Sequence, residues 1–136
     1  MPVARLGLLW RGERGAAMSA RAESRLGPLF ALFADVDVEA RPVVYSDDAV
    51  DDVAAELKDL DGVLVWVNPI QDGANRARLD VLLREAAADG TWVSAHPDVI
   101  DKIGTKEILF TTRELGWGTD TAIYRSPEEL ATRFPG

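Results

Sequence analysis

Apolar residues along this chain change their period repeatedly, and each change predicts an element. Residues 3–10, VARLGLLW, form a short, mostly apolar run with the pattern of a buried strand. Residues 18–34, MSARAESRLGPLFALFA, switch to helical spacing through Leu26, Leu29, Phe30 and Phe33. Pro28 is expected to kink or delay that helix, because proline has no N–H to donate. VEARPVVY at 38–45 predicts a second strand, and Pro42 places it near a sheet edge. In SDDAVDDVAAELKDLD, Ser46 or Asp47 is the expected helix cap, followed by acidic residues in the first turn where the macrodipole favours them. GVLVWV at 62–67 is the clearest strand, uniformly apolar as a strand covered on both faces should be. GANRARLDVLLREAAADG at 73–90 predicts an amphipathic helix with Leu79, Leu82, Leu83 and Ala86 on one side, closed by Gly90. TWVSA at 91–95 reads as a fourth strand and DTAIYRS at 120–126 as a fifth. In SPEELATRF, Ser126 as cap, Pro127 at the first helical position and Glu129 make a capping box.

Strands alternating with helical stretches predict an α/β fold, here a Rossmann-like three-layer α/β/α arrangement with a mainly parallel sheet of four or five strands. Residues 1–95 carry that pattern, and residues 96–136 read as connecting helices and a strand.

Composition narrows the classes of partner. A chain of 136 residues is long enough for one buried core, and a net charge of −8 argues against nucleic acid or an anionic membrane surface. The absence of cysteine removes disulfides, thiolate zinc sites and a cysteine nucleophile. The apolar runs are too short to cross a bilayer, and MPVARLGLLWRGER lacks the order of a signal peptide, so a cytoplasmic protein is expected.

In open parallel sheets ligands bind beyond the carboxyl ends of the strands, where the strand order reverses. Three predicted strands end in polar chemistry. The first runs into WRGERG, where Arg11, Glu13 and Arg14 either present charge to a ligand or form a solvated loop. The glycine spacing there is G-x-x-G, which is neither a dinucleotide fingerprint nor a phosphate loop. The third runs into NPIQDGANR, offering Asn68, Gln71, Asp72, Asn75 and Arg76 to a cleft; the competing reading has Asp72 capping the next helix with Asn75 and Arg76 on its outer face. The fourth runs into AHPD. Its His96, the single histidine, lacks the partners of a catalytic triad or a metal site, which favours a positional or hydrogen-bonding role.

Lys102 and Lys106 stand four residues apart in an acidic chain. Asp98 lies at favourable i,i+4 spacing from Lys102, but Lys106 has no acidic neighbour at i−4, i−3, i+3 or i+4. A like-charged pair on one helix costs roughly 0.2–0.5 kcal/mol, unless Gly104 breaks the helix, and an anion nearby would relieve it.

DVIDKIGTKEILFTTRELGWG, with Asp101-Lys102, then Lys106, then Leu115-Gly116, resembles the segment that joins the N-terminal domain of ATP-grasp enzymes to their ATP-binding part. These enzymes include D-alanine–D-alanine ligases, glutathione synthetases and biotin carboxylases. Together with LLWRGE and GVLVWVNPI, the segment resembles the start of a bacterial ATP-grasp-like family, and the resemblance covers almost the whole chain. It implies that residues 1–95 are a pre-ATP-grasp domain and that Lys102, and less directly Lys106, reach nucleotide phosphates. It also implies a small-molecule substrate, with ATP and magnesium as cofactors of the full-length relatives. The glycine-rich loop, further phosphate-binding lysine and magnesium-holding acidic residues of those relatives have no counterpart in this sequence. No tight nucleotide binding and no ligation are therefore expected of the chain alone, and its partner is either a C-terminal ATP-grasp domain or a second copy. Two other readings remain open. One is a stand-alone flavodoxin- or receiver-like binding domain, although Arg11 and Asn68 stand where a receiver carries acidic residues. The other is an interaction domain that dimerises through an apolar face.

Overall fold

The structure is a computed structural model, and it describes residues 3–13, 26–116, 118 and 120–134. The chain divides into two compact units, Met1–Pro97 and Asp98–Gly136. In the first, β1 (Ala4–Arg11), β2 (Val38–Tyr45), β3 (Gly62–Trp66) and β6 (Trp92–Ser94) form a four-stranded sheet in the order β2-β1-β3-β6. Every pairing in it is parallel. Helices α1 (Gly27–Asp35), α2 (Val50–Lys58) and α3 (Ala77–Ala88) supply the crossovers. The outcome is the three-layer Rossmann-like fold that the alternating pattern predicts.

Residues alternating along each strand divide the core in two. Leu9, Val43, Val63 and Val67 pack with Val53 and Leu57 of α2 and Leu79, Leu82 and Leu83 of α3. On the opposite face Leu8 and Ala40 pack with Leu26 and Phe30, and with the partly buried Trp10, Leu29, Phe33 and Leu64. β2 is an edge strand, as Pro42 implies, and Pro42 pairs with Leu8 of β1.

Several local expectations change. Pro28 does not kink α1 but occupies its first turn, where its missing N–H would have had no helical acceptor; residues 18–25 of the longer expected helix lie outside the described residues. α2 starts at Val50 with no side-chain cap, because Asp47 is engaged elsewhere. The helix expected over 73–90 begins at Ala77, because a small hairpin precedes it: β4 (Ile70–Gln71) and β5 (Ala74–Asn75), paired antiparallel. Asp72 and Gly73 between them have φ of 51° and 78°, the two positive values that a type I′ turn requires.

The second unit holds α4 (Pro97–Ile103, starting at the boundary), α5 (Glu107–Thr111), a 3-10 turn at Arg113–Leu115 and α6 (Pro127–Arg133). The expected fifth strand is not formed: residues 120–126 carry no strand. The capping box is present. Ser126 Oγ accepts from Glu129 N at 3.1 Å, and Glu129 Oε2 accepts from Arg125 N at 2.9 Å. None of the described residues from 98 to 134 is buried. Among the described residues no helix is long and apolar enough to cross a membrane.

Candidate functional site

From β1 the chain moves to β2 on one side, then returns past β1 to β3 on the other. The order therefore reverses between β1 and β3, and their carboxyl ends are the topological switch point. A cavity of about 410 Å³ opens there, lined by Trp10, Arg11, Leu26, Trp66, Asn68, Gln71 and Asp72. Because β1, β3 and β6 are parallel neighbours, the tips that follow Trp10, Val67 and Ala95 all emerge at this edge.

Arg11 is present as expected, but its guanidinium is already bound. Nη1 donates to Asp47 Oδ2 and Nη2 to the Asn75 carbonyl, both at 2.6 Å, and the group lies 5.2 Å from the centre of the Tyr45 ring. Tyr45, fully buried, donates its hydroxyl to Asp47 Oδ1 at 2.5 Å, and Arg78 Nη1 donates to the Asp47 carbonyl at 3.1 Å. Burial, reinforced by Asp47, pushes the Tyr45 hydroxyl up to about 12. The Tyr45 hydrogen bond first, and Arg11 second, hold the Asp47 carboxyl below the usual carboxylate range. This network fastens the ends of β1 and β2 to β5 and neutralises Arg11 within the protein.

The NPIQDGANR segment separates into cavity and scaffold. Asn68, Gln71 and Asp72 line the cavity; Asn75 and Arg76 do not. Asp72 caps no helix, since it occupies the hairpin turn. Asn75 takes a local capping role instead, its Oδ1 accepting from Ala77 N at 3.0 Å. Arg76, placed by pattern on an outer helical face or in the cleft, is only 5% exposed. Its Nη1 donates to the Val67 carbonyl and its Nε to Asp80 Oδ1, both at 2.7 Å, which makes it a strut between the end of β3 and α3. Among the described residues Asp72 makes no ion pair.

Of the other candidates, Glu13 is exposed just beyond β1, and Arg14 lies outside the described residues. His96 is half-buried after β6, at the same sheet edge, and does not line the cavity. Lys102 and Lys106 belong to the second unit. Lys102 is in the last turn of α4, and Lys106 is the N-cap residue of α5. Gly104 separates the two helices, where a Cβ would stand 2.8 Å from the Ile100 carbonyl oxygen. Both lysines are exposed, and neither forms an ion pair among the described residues, so the expected Asp98–Lys102 pair is not made. Their free ammonium groups suit phosphate oxygens. The donor set for magnesium does not fit, because among the described residues no three His, Asp or Glu side chains gather as ligands.

A second cavity, of about 390 Å³, lies between α2 and α3 and is lined by Leu57, Lys58, Leu82, Glu85 and Thr91 among others. It flanks the carboxyl ends of those helices, at the amino edge of the sheet, so the carboxyl-edge cavity is the stronger candidate. The sequence reading missed Trp66 as a cavity wall. Its signal was a tryptophan near the end of each of two apolar strands, LLWR and LVWV. Comparison with protein-family models, curated proteins and solved structures finds no match to this chain.

Proposed function

We propose that this chain is the substrate-side domain of an ATP-grasp-like ligase, joining a carboxylate to an amine or thiol, and that the nucleotide-clamping part is supplied from outside these residues. The observation that carries the reading is the pair of exposed lysines, without an ion pair among the described residues, in a chain of net charge −8. Lys106 also stands at the beginning of α5, where the macrodipole disfavours a cation. A phosphate group near both would relieve these costs. The bare surface of residues 98–134 adds support, with Ile103, Leu109, Leu115 and Phe134 each more than half exposed, as a segment awaiting a further apolar surface would be.

Bound ATP would supply the phosphoryl group that activates a carboxylate for capture by a nucleophile. Lys102 would neutralise phosphate charge, with Lys106 assisting, while the switch-point cavity would hold a substrate away from water. Magnesium would need acidic residues from another part of the protein, and ligation by residues 1–136 alone is not expected.

The test begins with the reading frame after Gly136, which should encode a glycine-rich loop and paired acidic residues. The protein spanning both parts should bind MgATP, and Lys102→Ala should weaken that binding about tenfold (~1.4 kcal/mol) with little change in thermal midpoint. A frame that stops at Gly136, or equal nucleotide affinity in mutant and wild type, would overturn the proposal. The cavity itself favours a second reading, a stand-alone ligand-binding domain, because residues of the first unit alone form it. That reading expects ligand binding without nucleotide dependence.

A further inference from the structure

We infer that the switch-point cavity binds a small primary organic ammonium ion, held between the indoles of Trp10 and Trp66 with Asp72 as its counter-ion. The inference rests on this cavity being the ligand-binding part of the chain, and it requires nothing of a nucleotide.

Charge decides the sign of the ligand. Among the described residues Arg11 is the one cationic side chain in the lining, and its side chain is only 13% exposed, with both terminal nitrogens bound to Asp47 and Asn75. Asp72 is exposed and has no cationic partner among the described residues. The described lining therefore presents one uncompensated carboxylate. A carboxylate or phosphate ligand would meet that charge with no free cation among the described lining residues to offset it. An ammonium ion meets the opposite situation, and the net charge of −8 raises its local concentration.

Geometry then decides the ligand's form. Trp10 and Trp66 are register partners on adjacent parallel strands, so their side chains leave the same face of the sheet at the same height. Trp10 is braced edge-on by Phe30, with ring centroids 6.4 Å apart at 79°. Trp66 remains 37% exposed. Indole faces attract cations and bury methylene groups, so together they accept an alkylammonium chain. The Asn68 and Gln71 side-chain carbonyls and the Asp72 carboxylate supply three acceptors in the same lining, matching the three N–H donors of a primary ammonium. The type I′ turn holds Asp72 on a two-residue hairpin, so this acceptor is presented by ordered backbone. A cavity of about 410 Å³ falls in the range of small-molecule sites.

The test is calorimetric titration at low ionic strength with n-butylammonium, using butan-1-ol as the neutral isostere and butyrate as the anion. Butylammonium should saturate one site with a Kd near ~1 mM, and both other probes should bind at least about tenfold more weakly. Asp72→Asn should reduce butylammonium affinity about tenfold and remain folded, since asparagine accepts the same left-handed backbone. Trp66→Leu, at a half-exposed strand end, should also weaken binding. Butanol or butyrate binding as tightly as butylammonium, unchanged affinity in a folded Asp72→Asn protein, or no saturation by butylammonium would each overturn the inference. In the protein spanning both parts, binding of MgATP without butylammonium would defeat this inference and leave the nucleotide proposal standing, and binding of butylammonium without MgATP would do the opposite.

Discussion

Replacing Arg76 by methionine keeps the aliphatic stem and removes the guanidinium that joins β3 to α3. Two groups lose their partner. The Val67 carbonyl, on a residue only 6% exposed, loses a charged donor at 2.7 Å, and leaving a buried acceptor unpaired costs about 1–3 kcal/mol. Asp80 loses its ion pair at 2.7 Å, with its side chain 16% exposed. Full burial of an unpaired charge would cost about 3–5 kcal/mol, and partial access to water lowers that figure. The buried Nη2, which has no acceptor, is removed as well, a small gain. The net expectation is a loss of about 3 kcal/mol, or roughly 10 °C in thermal midpoint for a domain of this size. Urea unfolding of Arg76→Met, Asp80→Asn and the double variant measures it, and the cycle should show a coupling of about 1–2 kcal/mol. A loss below about 1 kcal/mol, or single-variant effects that simply add, would refute the role of Arg76 as a strut.

The Tyr45–Asp47–Arg11 network predicts two pH limbs. Tyr45 is raised from 10.0 to about 12, so its contribution is complete below pH 10 and disappears as pH rises toward 12; Tyr45→Phe should remove this alkaline limb from the urea midpoint. Asp47 is depressed, so its contribution is present above its ordinary value of 3.8 and is lost as pH falls through its lower folded value, a limb that Asp47→Asn should remove. Gly73→Ala should lower stability by about 1 kcal/mol through backbone strain alone, since φ is 78° and no atom lies within 4 Å of an added Cβ. Gly73→Asn should cost less, and thermal midpoints compare the two.

Much of the sheet was legible because burial on two faces leaves a strong signature. GVLVWV could hardly be anything but an inner strand, and Pro42 marks an edge because it cannot donate to a ladder. What escaped depended on partners distant in sequence. Asp47 looked like a local cap, but Tyr45 and Arg11 draw it away, and Arg11 is 36 residues distant. The hairpin strands are two residues each, too short for any periodicity, although Asp72-Gly73 carried the turn signal by composition. Residues 120–126 have apolar content suited to a strand but form none, as strand propensity is realised only against a neighbouring strand. In the site, the cluster of Arg11, Asn68, Gln71 and Asp72 followed from the rule that ligands gather at carboxyl ends of parallel strands. The neutralisation of Arg11, the burial of Arg76 and the pairing of Trp10 with Trp66 emerged only with strand register.

The most direct test of the switch-point site is a ¹H–¹⁵N spectrum recorded during titration with n-butylammonium. The indole N–H signals of Trp10 and Trp66 and the side-chain amide of Gln71 should move together and saturate. The indole of Trp92, which pairs with Gly62 at the opposite end of β3, should stay in place. Movement of Trp92, or of Leu57 and Thr91 beside the other cavity, while Trp10 and Trp66 remain still, would place the ligand elsewhere and contradict the assignment.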